Sequence, residues 1–173
     1  GTIVACLGGV VLFGWFTHNI ALLQVHESFV PMQFNTALGF LLSGIGLVLA
    51  INRNVKIAAA ALISVMLIGG LTLIEYIFEI DLSIDQLLMK HYITTETSHP
   101  GRMAPNTALC FAIMAFALFL SHRTLANNDT KANTTFTLSL FVFILSSVAL
   151  IGYIFAIEFA FSWGNFTHMA IHT

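Results

Sequence analysis

Apolar residues fall in five long runs separated by polar breaks, the third of them long. The runs are residues 3–23, 35–51, 57–80, 106–120 and 135–159. A bilayer-spanning helix needs about 20 apolar residues. The pattern therefore predicts five transmembrane helices and the start of a sixth near Thr167. The runs are apolar on every side, so amphipathic periodicity does not separate a buried face from a lipid face. The expected fold is all-α and integral to a membrane, with the whole of 1–173 as one domain.

A repeat orders these runs. Met32-Gln33-Phe34-Asn35-Thr36-Ala37-Leu38-Gly39-Phe40 matches Met103-Ala104-Pro105-Asn106-Thr107-Ala108-Leu109-Cys110-Phe111 at six of nine positions. A third copy starts at Met169-Ala170-Ile171-His172-Thr173, with His in place of Asn. The runs before the motifs also match. Leu73-Ile74-Glu75-Tyr76-Ile77-Phe78-Glu79-Ile80 resembles Leu150-Ile151-Gly152-Tyr153-Ile154-Phe155-Ala156-Ile157, and Phe13-Gly14-Trp15-Phe16 is a weaker match. Such periods predict three helix hairpins. The first covers about 1–52, the second about 55–122, and the third runs from about 134.

Composition supports lipid as the solvent. Only 8% of residues are charged and 58% are hydrophobic, against about 25% charged in an ordinary soluble domain. The formal net charge of −2 gives no electrostatic footprint for nucleic acid. Cys6 and Cys110 lie in apolar runs without metal-type spacing and read as packing residues. Arg53, Lys56, Arg123 and Lys131 fall in two alternate breaks, which assigns those breaks to the cytoplasm. Most carboxylates and histidines then fall on the outer side, with Trp15 and Trp163 near that interface. The expected location is a bacterial inner membrane, crossed several times.

Candidate chemistry gathers at the outer ends. Asn35 and Asn106 read first as helix caps, because a side-chain oxygen can satisfy the bare N–H groups of a helix start in lipid. A functional alternative has three helix starts converging, with Asn35, Asn106 and His172 backed by Met32, Met103 and Met169. Glu75, one turn inside its run, and Glu158 are ionisable groups in spans, which are costly and often functional. With His18 and His172 they form a candidate cation or proton site. His26, His99 and Arg102 complete the outer-face set of candidate ligand-binding residues. No cofactor is assigned. The converging helix starts would suit an anion or a polar headgroup, while the histidines, methionines and carboxylates would suit a metal or, on His18 and His172, a bis-histidine haem. No catalytic constellation is present in the sequence, so this segment is not expected to be an enzyme.

Several of these stretches resemble a known family: Met103 to Phe111, Leu73 to Tyr76 followed by Ile84-Asp85-Gln86-Leu87-Leu88, Pro100-Gly101-Arg102-Met103, and Met169 to Thr173. They look like the multi-span membrane modules that open bacterial hybrid histidine kinases and diguanylate cyclases. That resemblance implies a sensory and dimerising input domain for a cytoplasmic output. The three-hairpin plan is also similar to MHYT sensor domains, thought to bind a metal, although Asn35 and Asn106 stand where His is expected. The chain starts at Gly1-Thr2-Ile3 inside an apolar run and stops as a third motif opens. It is therefore expected to be part of a longer protein. The partners expected are the bilayer and a second copy or a larger membrane complex. Alternatives are an accessory subunit of a photosynthetic or respiratory complex, or a channel, transporter or haem-binding domain.

Overall fold

A computed structural model describes residues 1–24, 29–93, 99–122, 129–163, 166–171 and 173, with only the backbone described at His122 and Glu158. All regular elements among the described residues are helical. They are α1 (Thr2–Thr17), α2 (Ile20–Leu23), α3 (Phe34–Ile51), α4 (Val55–Phe78), α5 (Pro105–His122), α6 (Asp129–Ile154) and α7 (Glu158–Phe161). Each long helix packs on the next, as α1 on α3, α3 on α4, α4 on α5 and α5 on α6.

Three helices, α3, α4 and α6, are long and apolar enough to cross a membrane. Exposed apolar side chains such as Phe136, Phe143, Leu150 and Ile154 cover α6, a surface suited to lipid. Two of the five expected spans differ. Thr2–Thr17 and Pro105–Ser121 are apolar but shorter. The first run breaks because His18 takes a left-handed conformation, φ 54°, and the chain turns into α2. The last run starts earlier than its apolar residues do. Asp129, Lys131 and Thr130 form its first turn, with Asp129 near the positive helix end.

Close helix contacts rest on small residues. A methyl group on Gly8 would lie 2.5 Å from the Ala37 carbonyl oxygen, and one on Gly69 would lie 2.6 Å from that of Ala108. These pairs are equivalent: each glycine is seven residues before an aromatic (Trp15, Tyr76), and each alanine is two residues after the motif asparagine. Hairpins α1/α3 and α4/α5 thus share one packing register.

The helix ends repeat as well. At the α1, α4 and α6 ends, His18, Glu79 and Ala156 have φ of 54°, 53° and 54°. Three residues earlier stands Trp15, Tyr76 or Tyr153. The N–H groups of Asn19, Ile80 and Ile157 bond back to the carbonyls of Gly14, Glu75 and Gly152 at 2.9, 3.2 and 2.8 Å. This six-to-one closure around a left-handed residue satisfies carbonyls at a helix end.

Candidate functional site

The aromatic at each helix end reaches the following motif. Trp15 Nε1 donates to the Met32 carbonyl at 3.0 Å. The Tyr76 hydroxyl donates to the Met103 carbonyl at 3.0 Å, and the Tyr153 hydroxyl donates to the Met169 carbonyl. One hydrogen bond, buried in the first two cases, therefore fixes each motif to the helix before it. These three aromatics were not among the residues singled out for function, although the match of Tyr76 with Tyr153 was the available signal.

The motif asparagines do not stand at the expected cap position, although Asn106 Oδ1 accepts from the Thr107 N–H in the first turn of α5 at 3.0 Å. Helix α3 starts at Phe34 with no side-chain cap bond, and α5 starts at Pro105. Both asparagines are thus inside the first turn. Asn35 Nδ2 donates to the carbonyls of Ile84 and Asp85 at 3.2 and 3.4 Å. Asn106 Nδ2 donates to the Phe161 carbonyl at 3.4 Å and contacts Met169 Sδ at 3.3 Å. Ile84 and Phe161 each lie eight residues after their aromatic. Each asparagine therefore joins its hairpin to the next one in the same register. The amide is worth more here than as a cap because it pairs a buried carbonyl that would otherwise be left bare.

The three motif methionines do not gather. Met32, Met103 and Met169 are buried in three separate apolar clusters. His18 lies against Tyr92, with ring centroids 4.4 Å apart. His26, His172 and the side chain of Glu158 fall outside the described residues, so the proposed haem pair and inward acid set involve residues not described here.

A different set is brought together at the second hairpin. The described parts of its connection, 81–93 and 99–104, bring Asp85 and Arg102 to the α4 end. Arg102 Nε donates to Asp85 Oδ2 at 2.7 Å, and Arg102 Nη2 lies 3.4 Å from Glu75 Oε1. Glu75 Oε1 also accepts from the Leu82 N–H at 2.9 Å. Glu75 is wholly buried, with Arg102 and Asp85 nearly so. The guanidinium lies 5.3 Å from the centre of the Tyr76 ring, within cation–π range. Gly101 makes the turn possible. Its φ is +86°, and a methyl group there would lie 3.0 Å from the Asp85 carbonyl oxygen.

Glu75, Tyr76, Asp81, His99, Arg102 and Phe166 line a cleft of 310 Å³. A neighbouring cleft of 390 Å³ runs over Asp85, Gln86 and Pro100. Of the expected site residues, the structure thus places Glu75, His99 and Arg102 together. Asp85 was missed as a site residue, though it lay within a stretch noted for its resemblance.

The charges are unequal. Burial pushes the Asp85 carboxyl above its ordinary range, and the Arg102 hydrogen bond offsets only part of that. Burial works against the Arg102 charge, but Asp85 and Glu75 outweigh it and hold the guanidinium pKa above its usual value. An acid raised on folding contributes stability that is full below its ordinary value of 3.8. That contribution is lost as pH rises through the raised value.

No family model, curated protein or solved structure matches this chain.

Proposed function

We propose that this chain is a membrane-embedded sensory input domain, with its stimulus site at the Glu75–Asp85–Arg102 cluster. Five helices cross a bacterial inner membrane as hairpins, and a sixth begins at the third motif. The motif ends face away from the cytoplasm, a reading supported by the Arg53, Lys56, Arg123 and Lys131 distribution. The shorter α1 and α5 cross with their turns and connections at the interfaces.

One observation carries this reading. The equivalent ends of α1 and α6 place Gly14 and Gly152 where α4 has Glu75. Only the second hairpin places an acid there and encloses it with a long connection that supplies Asp85 and Arg102. Buried ion clusters are weak sources of net stability, so one at the single end of the three whose sequence puts an acid before the aromatic favours a functional role. The cleft beside them gives an external stimulus access. A stimulus that binds one arrangement of this connection better than another shifts the balance between them. The helices joined to it pass that shift to a cytoplasmic output.

The test is made in the native gene. Its reading frame is expected to continue from Thr173 through a further span to a kinase or cyclase domain. Glu75→Gln is expected to change that domain's output by several fold with unchanged protein level in the membrane. A stop codon soon after Thr173, or an output indifferent to Glu75→Gln and Asp85→Asn, overturns the reading.

A further inference from the structure

Four buried side chains at the junction of the first and second hairpins carry polar atoms without a hydrogen-bond partner among the described residues. They are Gln33 (Oε1 and Nε2), Thr72 (Oγ1), Glu75 (Oε2) and Asp85 (Oδ1), the two carboxyls being close enough to bond each other once one is protonated. Gln33 is 3% exposed, Thr72 1% and Glu75 0%. Buried polar groups are nearly always paired, and an unpaired one in a native protein points to a bound water or ion.

The repeat explains why these atoms belong to one place. Gln33 follows the motif methionine, as Ala104 and Ala170 do. Thr72 stands four residues before the aromatic, as Val11 and Ala149 do. Ala104 shares a core cluster with Ala149, and Ala170 shares one with Val11. Both of those hairpin junctions are apolar. The same register sets Gln33 against Thr72 at the remaining junction. Asn35, two residues after Gln33, is bonded to the Ile84 and Asp85 carbonyls, so the start of α3 adjoins Asp85 independently of that register.

The charge count points the same way. Glu75 and Asp85 bring two buried negative charges and Arg102 one positive charge. Carboxylate oxygens of Glu75, Asp81 and Asp85 lie within 4.8 Å of one another. Buried carboxylates this close are not both ionised without further compensation. The other charged and titratable groups around them are Glu79, Asp81 and His99 at the cleft and Tyr76 beneath Arg102. The first hairpin presents Gln33 and Asn35, neither of which titrates.

We propose that the junction of the first and second hairpins is a binding site for one small monovalent cation, a sodium ion or a proton. Glu75 Oε2, Asp85 Oδ1, Gln33 Oε1 and Thr72 Oγ1 supply its oxygens. Oxygen donors suit a hard cation, and a single positive charge neutralises the buried pair Glu75 and Asp85 with Arg102, the third carboxylate, Asp81, being exposed to solvent. Binding draws the start of α3 onto the end of α4 beside Asp85 and Arg102. This site rests on the sensory reading for its biological use, but its occupancy is measured without any output.

The experiment is thermal unfolding of the purified full-length protein in detergent, in sodium or choline chloride at equal ionic strength. A ligand that binds only the folded state raises the midpoint with its concentration. For a sodium site, the midpoint rises with sodium at fixed pH. For a proton site, it is insensitive to sodium and rises as pH falls from about 8 to about 5. For a sodium site, Gln33→Ala with Thr72→Val, which installs residue types from the other two junctions, removes the response while the protein stays folded. Glu75→Gln removes it as well. A wild-type midpoint that moves with neither sodium nor pH overturns the site, as does a sodium response that survives Gln33→Ala with Thr72→Val or a pH response that Glu75→Gln leaves at full size. A lost output with an intact cation response would refute the sensory reading and leave the site standing.

Discussion

The α1 and α4 ends share a backbone but not a chemistry. Each has a left-handed residue closing the helix, an aromatic three residues earlier and a hydrogen bond from that aromatic to the next methionine carbonyl. At α1 the residue before the aromatic is Gly14, and the short helix α2 packs directly onto it. A methyl group there would lie 2.7 Å from Leu22 Cβ. At α4 that residue is Glu75, no short helix follows among the described residues, and the longer connection over 85–102 delivers Asp85 and Arg102 instead. One scaffold thus supports a dry seam at one end and a charged, cleft-lined site at the other. The backbone geometry survives the change because its bonds run between main-chain groups and an aromatic. The Gly-to-Glu exchange alters only what fills the space beside them.

Removing the charge partner should separate the two ends most. Arg102→Met leaves Glu75 and Asp85 buried without their cation. The cost is expected at about 3–5 kcal/mol, read as a lower unfolding midpoint in detergent that recovers in part as pH falls and the acids protonate. A smaller loss would mean that water reaches the cluster and the contrast with the α1 end is weaker than drawn.

Crowding the glycine ends comes next. In Gly152→Ala the added methyl would lie 2.3 Å from Ala160 Cβ and 3.0 Å from the Ile157 carbonyl oxygen. Overpacking of this kind costs about 1–3 kcal/mol, and Gly14→Ala is expected in the same range. Unchanged midpoints in both would show that α2 and α7 move away freely and do not form a fixed seam.

The smallest effect tests what the ends have in common. Trp15→Phe and Tyr76→Phe each remove one buried hydrogen bond to a methionine carbonyl. Each is expected to cost about 0.5–1.5 kcal/mol. The double variant should be near the sum, since the two bonds share no partner. Strong non-additivity in the unfolding midpoints would mean the two hairpins are coupled through these bonds.

The helices and the repeat were readable because both are local. Long apolar runs must satisfy their own backbone groups in lipid, which requires helix. The motif recurs with enough identity to be seen in one dimension. The match of Tyr76 with Tyr153 already held the recurring donor, although its carbonyl acceptor was not visible. Boundaries were less legible. Apolar residues continue past His18 to Leu23, and hydropathy does not register the left-handed turn that ends α1 there.

Of the candidate site, Glu75, His99 and Arg102 stood out as ionisable groups in apolar surroundings. Asp85 did not, because an acid in a polar connection looks solvated until the connection folds back. Gln33 and Thr72 were hidden for the same reason: uncharged and flanked by apolar residues, they gain meaning only from burial without a partner. The asparagines show the limit most directly. Residue type and place made them helix caps, yet in the folded chain their amides reach the connection of the next hairpin.

The order of apolar and polar residues by itself determined a helical chain with lipid-facing surface and a thrice-used motif, because hydrophobic length and backbone satisfaction act within each segment. Which polar groups face one another was decided only in three dimensions. Pairing between residues 75, 85 and 102, and between 35 and 84, depends on how hairpins dock, and docking is set by contacts between small residues far apart in the chain.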